Sequence, residues 1–238
     1  MEDWLEREEA PEGVTVVRMR HGEQNRISGP FCDALRALLE DLARDDGVRA
    51  VVMTGHGRFF CNGLDLAWAG GRPREEVVAF MDGLSGLLRD TALFPKPIIG
   101  AINGHGFGMG AIWASGFDAR VVLADRGWVC FPMFEYDLPL TPGMIAYCEH
   151  GLGTTTFREM AWTGRRYSAP MAVAVGWAAA AVDEATLMEE AQGWAALLGG
   201  KGRTAFSLTK QAWARPVVEA IDTLDPAANR AYPEVPTG

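Results

Sequence analysis

The chain has 238 residues, 48% of them hydrophobic, which suits one large domain or one domain with a small appendage and excludes global disorder. A net charge of −9 argues against a general nucleic-acid surface, because phosphate binding needs clustered Lys and Arg, although a few local basic residues could still hold a phosphorylated ligand. The four cysteines, Cys32, Cys61, Cys130 and Cys148, lie far apart and form no CxxC pair, so neither a disulfide framework nor a metal site is expected.

The N-terminal stretch MEDWLEREEAPEG is acidic and lacks the apolar core of a secretory signal. No apolar run approaches the roughly 20 residues of a membrane span, and the C-terminal PEVPTG is not a peroxisomal tripeptide signal. The expectation is a protein of a soluble, reducing compartment such as the bacterial cytoplasm, with no membrane or nucleic-acid partner.

In chain order, Val14 to Met19 reads as a strand. A loop leads to Ser28, a helix-capping residue type, with Pro30 in the first turn and Phe31, Leu35, Leu38, Leu39 and Leu42 on one helical face. Val48 to Thr54 is a second apolar, β-branched strand between Gly47 and Gly55, and a helix is predicted over Glu75 to Arg89. Pro97 to Ile102 makes a third buried strand, then a Gly-rich turn, a short apolar helix near Ala111 to Ser115, and a further strand from Arg120 to Leu123. Strands alternating with helices predict α/β architecture with parallel pairing. The pattern changes after Gly199, which divides the chain into a core over 1–199 and a short C-terminal helical or irregular segment over 200–238. Within the latter, Lys201 to Ala214 could be helical, whereas Asp225 to Gly238, with Pro226, Pro233 and Pro236, reads as an irregular tail.

Two segments carry chemistry. The first is Gly57-Arg58-Phe59-Phe60-Cys61-Asn62-Gly63-Leu64-Asp65-Leu66, an apolar strand ending in a small-residue turn and Gly-x-Asp-Leu. The second runs Ala101-Ile102-Asn103-Gly104-His105-Gly106-Phe107-Gly108-Met109-Gly110 and continues to Phe117-Asp118-Ala119-Arg120. Gly106 to Ala111 also satisfies GxGxxA, but a dinucleotide site normally follows the first strand of its unit with an acid at a later strand end, and Asp125 fits that place poorly. In order and spacing the two segments resemble the paired signatures of the crotonase (enoyl-CoA hydratase/isomerase) superfamily, a resemblance that runs from about residue 14 to residue 195.

The resemblance implies an α/β fold of the crotonase type, a spiral of ββα units with a C-terminal helical segment, assembled as trimers or dimers of trimers. It implies an acyl-CoA substrate, with coenzyme A part of that substrate and no separate cofactor. Carried over by position, the N–H groups of Leu64 and Met109 would form an oxyanion hole for the thioester carbonyl. Losing one such donor costs an acyl-transfer enzyme on the order of 3 kcal/mol. Met109 stands where the family usually has glycine, which keeps the N–H and narrows the acyl pocket. Gly63, Gly108 and Gly110 would let the backbone approach the ligand. Cys61, Asn62, Gly63 and Leu66 would run along the pantetheine, and Ile112 and Trp68 would wall the pocket. Arg58 and Lys96 are candidates for the CoA phosphates, whereas Asp65, Asp118 and Trp113 read as structural and His56, His105 and His150 lack a telling acidic partner.

Hydratases of the family flank the thioester with two glutamates. The first of those positions is Ile112 here. The second falls in Phe134-Glu135-Tyr136-Asp137-Leu138-Pro139-Leu140-Thr141-Pro142-Gly143, where Glu135 takes the glutamate's place after about two inserted residues and Asp137 is the alternative. One carboxylate facing an apolar residue suits a double-bond shift, in which the same group removes a proton and returns it. The wording from Phe59 to Ala69, and Asp125-Arg126-Gly127, is also similar to plant-type peroxisomal Δ3,Δ2-enoyl-CoA isomerases, which likewise keep only the second glutamate. The expected reaction is therefore 3-enoyl-CoA to 2-enoyl-CoA isomerisation with Glu135 in a dry pocket as proton shuttle. Hydration, and acyl-CoA binding without turnover, remain as alternatives.

Overall fold

The computed structural model describes residues 4–233. An antiparallel hairpin of β1 (Leu5–Ala10) and β2 (Val14–Met19) opens the fold. Next comes α1 (Gly29–Arg44), where Ser28 accepts a hydrogen bond from the Phe31 N–H at 3.4 Å and all five predicted apolar residues are buried. Three ββα units follow. The first is β3 (Ala50–Thr54), β4 (Phe59–Cys61), a single turn α2 (Leu66–Ala69) and α3 (Arg74–Ala92). The second is β5 (Ile98–Ile102), β6 (His105–Phe107) and α4 (Met109–Ser115). The third is β7 (Ala119–Leu123), β8 (Val129–Cys130), a 3-10 turn over Met133–Tyr136, and α5 (Pro142–Leu152), α6 (Thr154–Thr163) and α7 (Ala169–Ala174). β9 (Ala180–Val182) and α8 (Leu187–Gly199) close the core, and α9 (Arg203–Trp213), α10 (Arg215–Thr223) and α11 (Asp225–Ala231) form the C-terminal segment.

Each unit sends its first strand to one sheet and its second to another, so both sheets are built by parallel repetition. The larger has the order β1-β2-β3-β5-β7-β9 and the smaller β4-β6-β8, and among the strand pairs of the described residues only β1 with β2 is antiparallel. Strands β3, β5 and β7 are buried throughout because both faces are covered, which is why they read as continuous apolar runs rather than alternating ones. One face packs on the main core with α1, α3 and α4, and α8 lies over the other through Leu187, Ala191 and Ala195. No helix of the described residues is long and apolar enough to cross a membrane.

One element was not foreseen and one local expectation needs correction. The N-terminal stretch forms β1, whose acidic LEREEA sequence has no apolar alternation because it is an edge strand with three exposed residues in its middle. The tail expected to be irregular from Asp225 contains α11, since Pro226 stands in the first turn of that helix, where no backbone donor is required. Residues 234–238, including Pro236, lie outside the described residues.

Candidate active site

The turns after β4 and β6 meet side by side. Gly63 has φ +79° and Gly108 φ +51°, conformations that L side chains rarely adopt. A Cβ on Gly63 would lie 2.9 Å from the Phe107 carbonyl oxygen and 3.3 Å from the Met109 nitrogen, so the two main chains are in contact. Ile27 pairs with the first turn: its N–H donates to the Gly63 carbonyl at 2.7 Å and its own carbonyl accepts from Asp65 at 2.9 Å, which skips the Leu64 N–H. Met109 is the first residue of α4, so its N–H precedes the intrahelical ladder. Among the described residues neither the Leu64 N–H nor the Met109 N–H donates to a protein acceptor.

These turns line a cleft of about 800 Å³ with the 3-10 turn and the start of the chain after α6. Asn62, Gly63, Leu64, Leu66, Gly108, Met109 and Glu135 all face it, and so do Met133, Tyr136 and Leu138. Asp137 does not: it ends the 3-10 turn in the left-handed conformation at φ +54°, so the turn carries Glu135 inward and Asp137 outward. The Glu135 carboxylate is directed to Gly164, where a Cβ would come within 3.4 Å of Oε1. The dry pocket expected around it is absent from the single chain, in which Glu135 is exposed to solvent at the cleft wall.

Four of the expected ligand contacts have other duties. Cys61 is fully buried, and burial pushes its thiol up to about 12. Gly110 faces Cys61 rather than the cleft, since a Cβ there would lie 2.4 Å from the Cys61 carbonyl oxygen; its lack of a side chain lets α4 pack on β4. Ile112 is 0% exposed inside the core and lines no part of the cleft. Trp68 packs over Gly29 and edge-on to Phe80, with the Arg72 guanidinium 4.1 Å above its ring, joining α2 to α1 and α3.

The proposed phosphate contacts also change. Lys96 is 1% exposed and donates to the carbonyls of Leu42 and Asp45, the latter at 2.6 Å, so it fastens the end of α1 and cannot meet a ligand. Arg58 is exposed beside His105, away from the cleft lining. The cations at the cleft are Arg26, Arg165 and Arg166. Arg26 donates to Gln24 at 2.9 Å, and Gln24 accepts from Asn62 at 2.6 Å, tying the first turn to this rim. Sequence reasoning missed all three, because no spacing rule marks them; the doublet after Gly164 was the one visible hint.

The remaining groups behave as scaffold. Asp65 caps α2 by accepting from the Trp68 N–H at 3.1 Å, and Asp118 accepts from the Ile98 N–H at 2.8 Å and from Lys210 at 2.6 Å. The Trp113 indole donates to Thr91 inside the core. His56 bonds the Met19 carbonyl, His150 packs near Trp213, and His105 sits between Phe59 and Phe107 with its pKa lowered by burial and then by Arg58 and Arg166. Cys130 lines the cleft, but burial pushes its thiol up to about 12, with Arg166 opposing and Glu135 adding to the shift, so it offers no thiolate at neutral pH. Among the described residues no cluster of three His, Cys, Asp or Glu side chains is placed to hold a metal ion.

The cleft therefore combines two unpaired backbone donors, one carboxylate and three guanidinium groups, and comparison with known proteins places the chain in a family. A "Probable enoyl-CoA hydratase" of Mycobacterium leprae is 30% identical over 207 residues, 84% of this chain and 78% of its own length. An "Enoyl-CoA delta isomerase 1, peroxisomal" of Arabidopsis thaliana is 27% identical over 165 residues, 68% of each chain. The crystal structure of an enoyl-CoA hydratase from Mycobacterium ulcerans superposes with a TM-score of 0.86 at 20% identity, covering 95% of this chain and 99% of the other, which shows the shared crotonase fold. The profile described as "Enoyl-CoA hydratase/isomerase" matches residues 9–228, and the chain belongs to that enzyme family.

Proposed function

We propose that this protein isomerises 3-enoyl-CoA to 2-enoyl-CoA. The thioester oxygen accepts hydrogen bonds from the Leu64 and Met109 N–H groups. Glu135 takes a proton from C2, and the C–H electron pair becomes the C1–C2 bond of an enolate whose charge rests on that oxygen. As the carbonyl re-forms, C2 and C3 become the alkene and C4 takes the proton back from the Glu135 carboxylic acid. Atoms and charge balance with one acid–base group and no added water. Arg26, Arg165 and Arg166 meet the phosphates of coenzyme A, whose charge they complement.

The observation that carries this reading is that Glu135 shares the cleft with both unpaired amides, whereas the place of a second glutamate is held by Ile112, buried in the core. Hydration is the second reading. It is favoured by the exposure of Glu135, which gives water access to the carboxylate. Assays with 3-hexenoyl-CoA and crotonyl-CoA separate the two: isomerisation of the first with negligible hydration of the second is expected, and rapid hydration of crotonyl-CoA would replace the isomerase reading. Binding of acyl-CoA with no C2 proton exchange in D2O would instead mark a silent homologue.

A further inference from the structure

The turn that bears Glu135 is fastened from the far end of the chain. Within the turn, the backbone closes on itself through Glu135 N–H to Pro132 at 3.2 Å and Leu138 N–H to Met133 at 3.0 Å. The nearby Arg165 pairs with Glu159 at 2.5 Å rather than with Glu135, so the carboxylate takes its position from the main chain that carries it.

Just beyond the turn, three contacts arrive from residues of the C-terminal segment. The buried Tyr232 hydroxyl donates to the Pro139 carbonyl at 3.0 Å. The Asp225 carboxylate, 1% exposed, accepts from the Gly143 N–H at 2.7 Å and from the Thr141 hydroxyl at 3.3 Å. Thr141 is the N-cap of α5, so a carboxylate sits on the positive end of the helix that terminates the glutamate segment. Gly143 is required at this spot, since a Cβ would lie 2.3 Å from Asp225. The far side of the clasp is itself anchored: Asp225 accepts from Ser85 at 2.6 Å, and Asn229 donates to Asp82 at 2.8 Å, both on α3.

We infer that the segment from Asp225 to Tyr232 is a brace that holds the Glu135 turn against the amide side of the cleft, making Asp225 and Tyr232 positioning residues for the proton transfer. This rests on the reading of Glu135 as the proton shuttle. Tyr232 never touches substrate; it fixes the carbonyl four residues beyond the carboxylate that does.

Tyr232→Phe keeps the ring in the core and deletes one hydrogen bond. It should lower kcat for 3-hexenoyl-CoA by about tenfold, with KM unchanged, as one lost buried hydrogen bond expressed in alignment would. Amide exchange across residues 133–143 should quicken while the Gly63 and Gly108 turns stay protected. In a Glu135→Gln background the tenfold effect should vanish, because Tyr232 acts through that carboxylate. Asp225→Asn, which keeps the shape and removes the charge, should behave alike. An unchanged kcat and exchange pattern in Tyr232→Phe, or a tenfold loss that persists without the glutamate, overturns the brace. Undiminished turnover in Glu135→Gln alone would instead overturn the shuttle reading, and the exchange result would still report whether the turn is braced.

Discussion

The two walls of the cleft are held in place by different means. The amide wall is main chain: two glycine turns in contact, each clamped by strand-like hydrogen bonds, with Leu64 and Met109 buried behind them. The carboxylate wall is one exposed side chain on a 3-10 turn, whose nearest firm supports lie in α5, α11 and Tyr232. A backbone site is as rigid as the sheet that carries it, whereas a side-chain acid is only as well placed as the loop beneath it.

This contrast can be broken at either wall. The largest effect is expected at Gly63, where an alanine must adopt φ +79° with its Cβ 2.9 Å from the Phe107 oxygen. Gly63→Ala should cost roughly 10²–10³ in kcat by separating the two amides, as removal of an oxyanion donor does; steady-state kinetics with 3-hexenoyl-CoA would read it. Ile112→Glu tests whether a second acid can simply be restored. Because Ile112 is fully buried, the variant should lose several kcal/mol of stability in a denaturant titration and gain no crotonyl-CoA hydration. At the rim, the exposed Arg166→Ala should raise KM by about threefold to tenfold with kcat unchanged. The increment should shrink as salt is added, since an exposed cation is screened.

Much of the fold was legible because buried parallel strands announce themselves. Val14 to Met19, Val48 to Thr54 and Pro97 to Ile102 are largely apolar runs, the second of them between Gly47 and Gly55, and Ser28 with Pro30 marked the start of α1. The amide wall was suggested by the resemblance of its two Gly-rich segments to the crotonase signatures, and Gly63 and Gly108 do adopt the positive φ that favours glycine. β1 was hidden because an edge strand needs no apolar face, and α11 because Pro226 reads as a breaker until its place in the first turn is known. Side-chain environments were the least legible part. Lys96 looked like a surface cation, yet its ammonium is spent on two carbonyls in the interior, and Trp68 and Ile112 looked like pocket walls, whereas Ile112 fills the core and the half-buried Trp68 packs against it. The sequence left Glu135 open between a sheltered acid and an exposed loop acid; the structure puts it on the 3-10 turn at the cleft and exposed.

The account depends most on Glu135, and one pair of measurements on Glu135→Gln addresses it directly. Glutamine keeps the size and removes the basic oxygen, so kcat for 3-hexenoyl-CoA and C2 proton exchange in D2O should both fall by about 10²–10⁴, while the calorimetric affinity for an unreactive acyl-CoA stays as in the native protein. Native rates of turnover and exchange in Glu135→Gln would contradict the single-carboxylate mechanism.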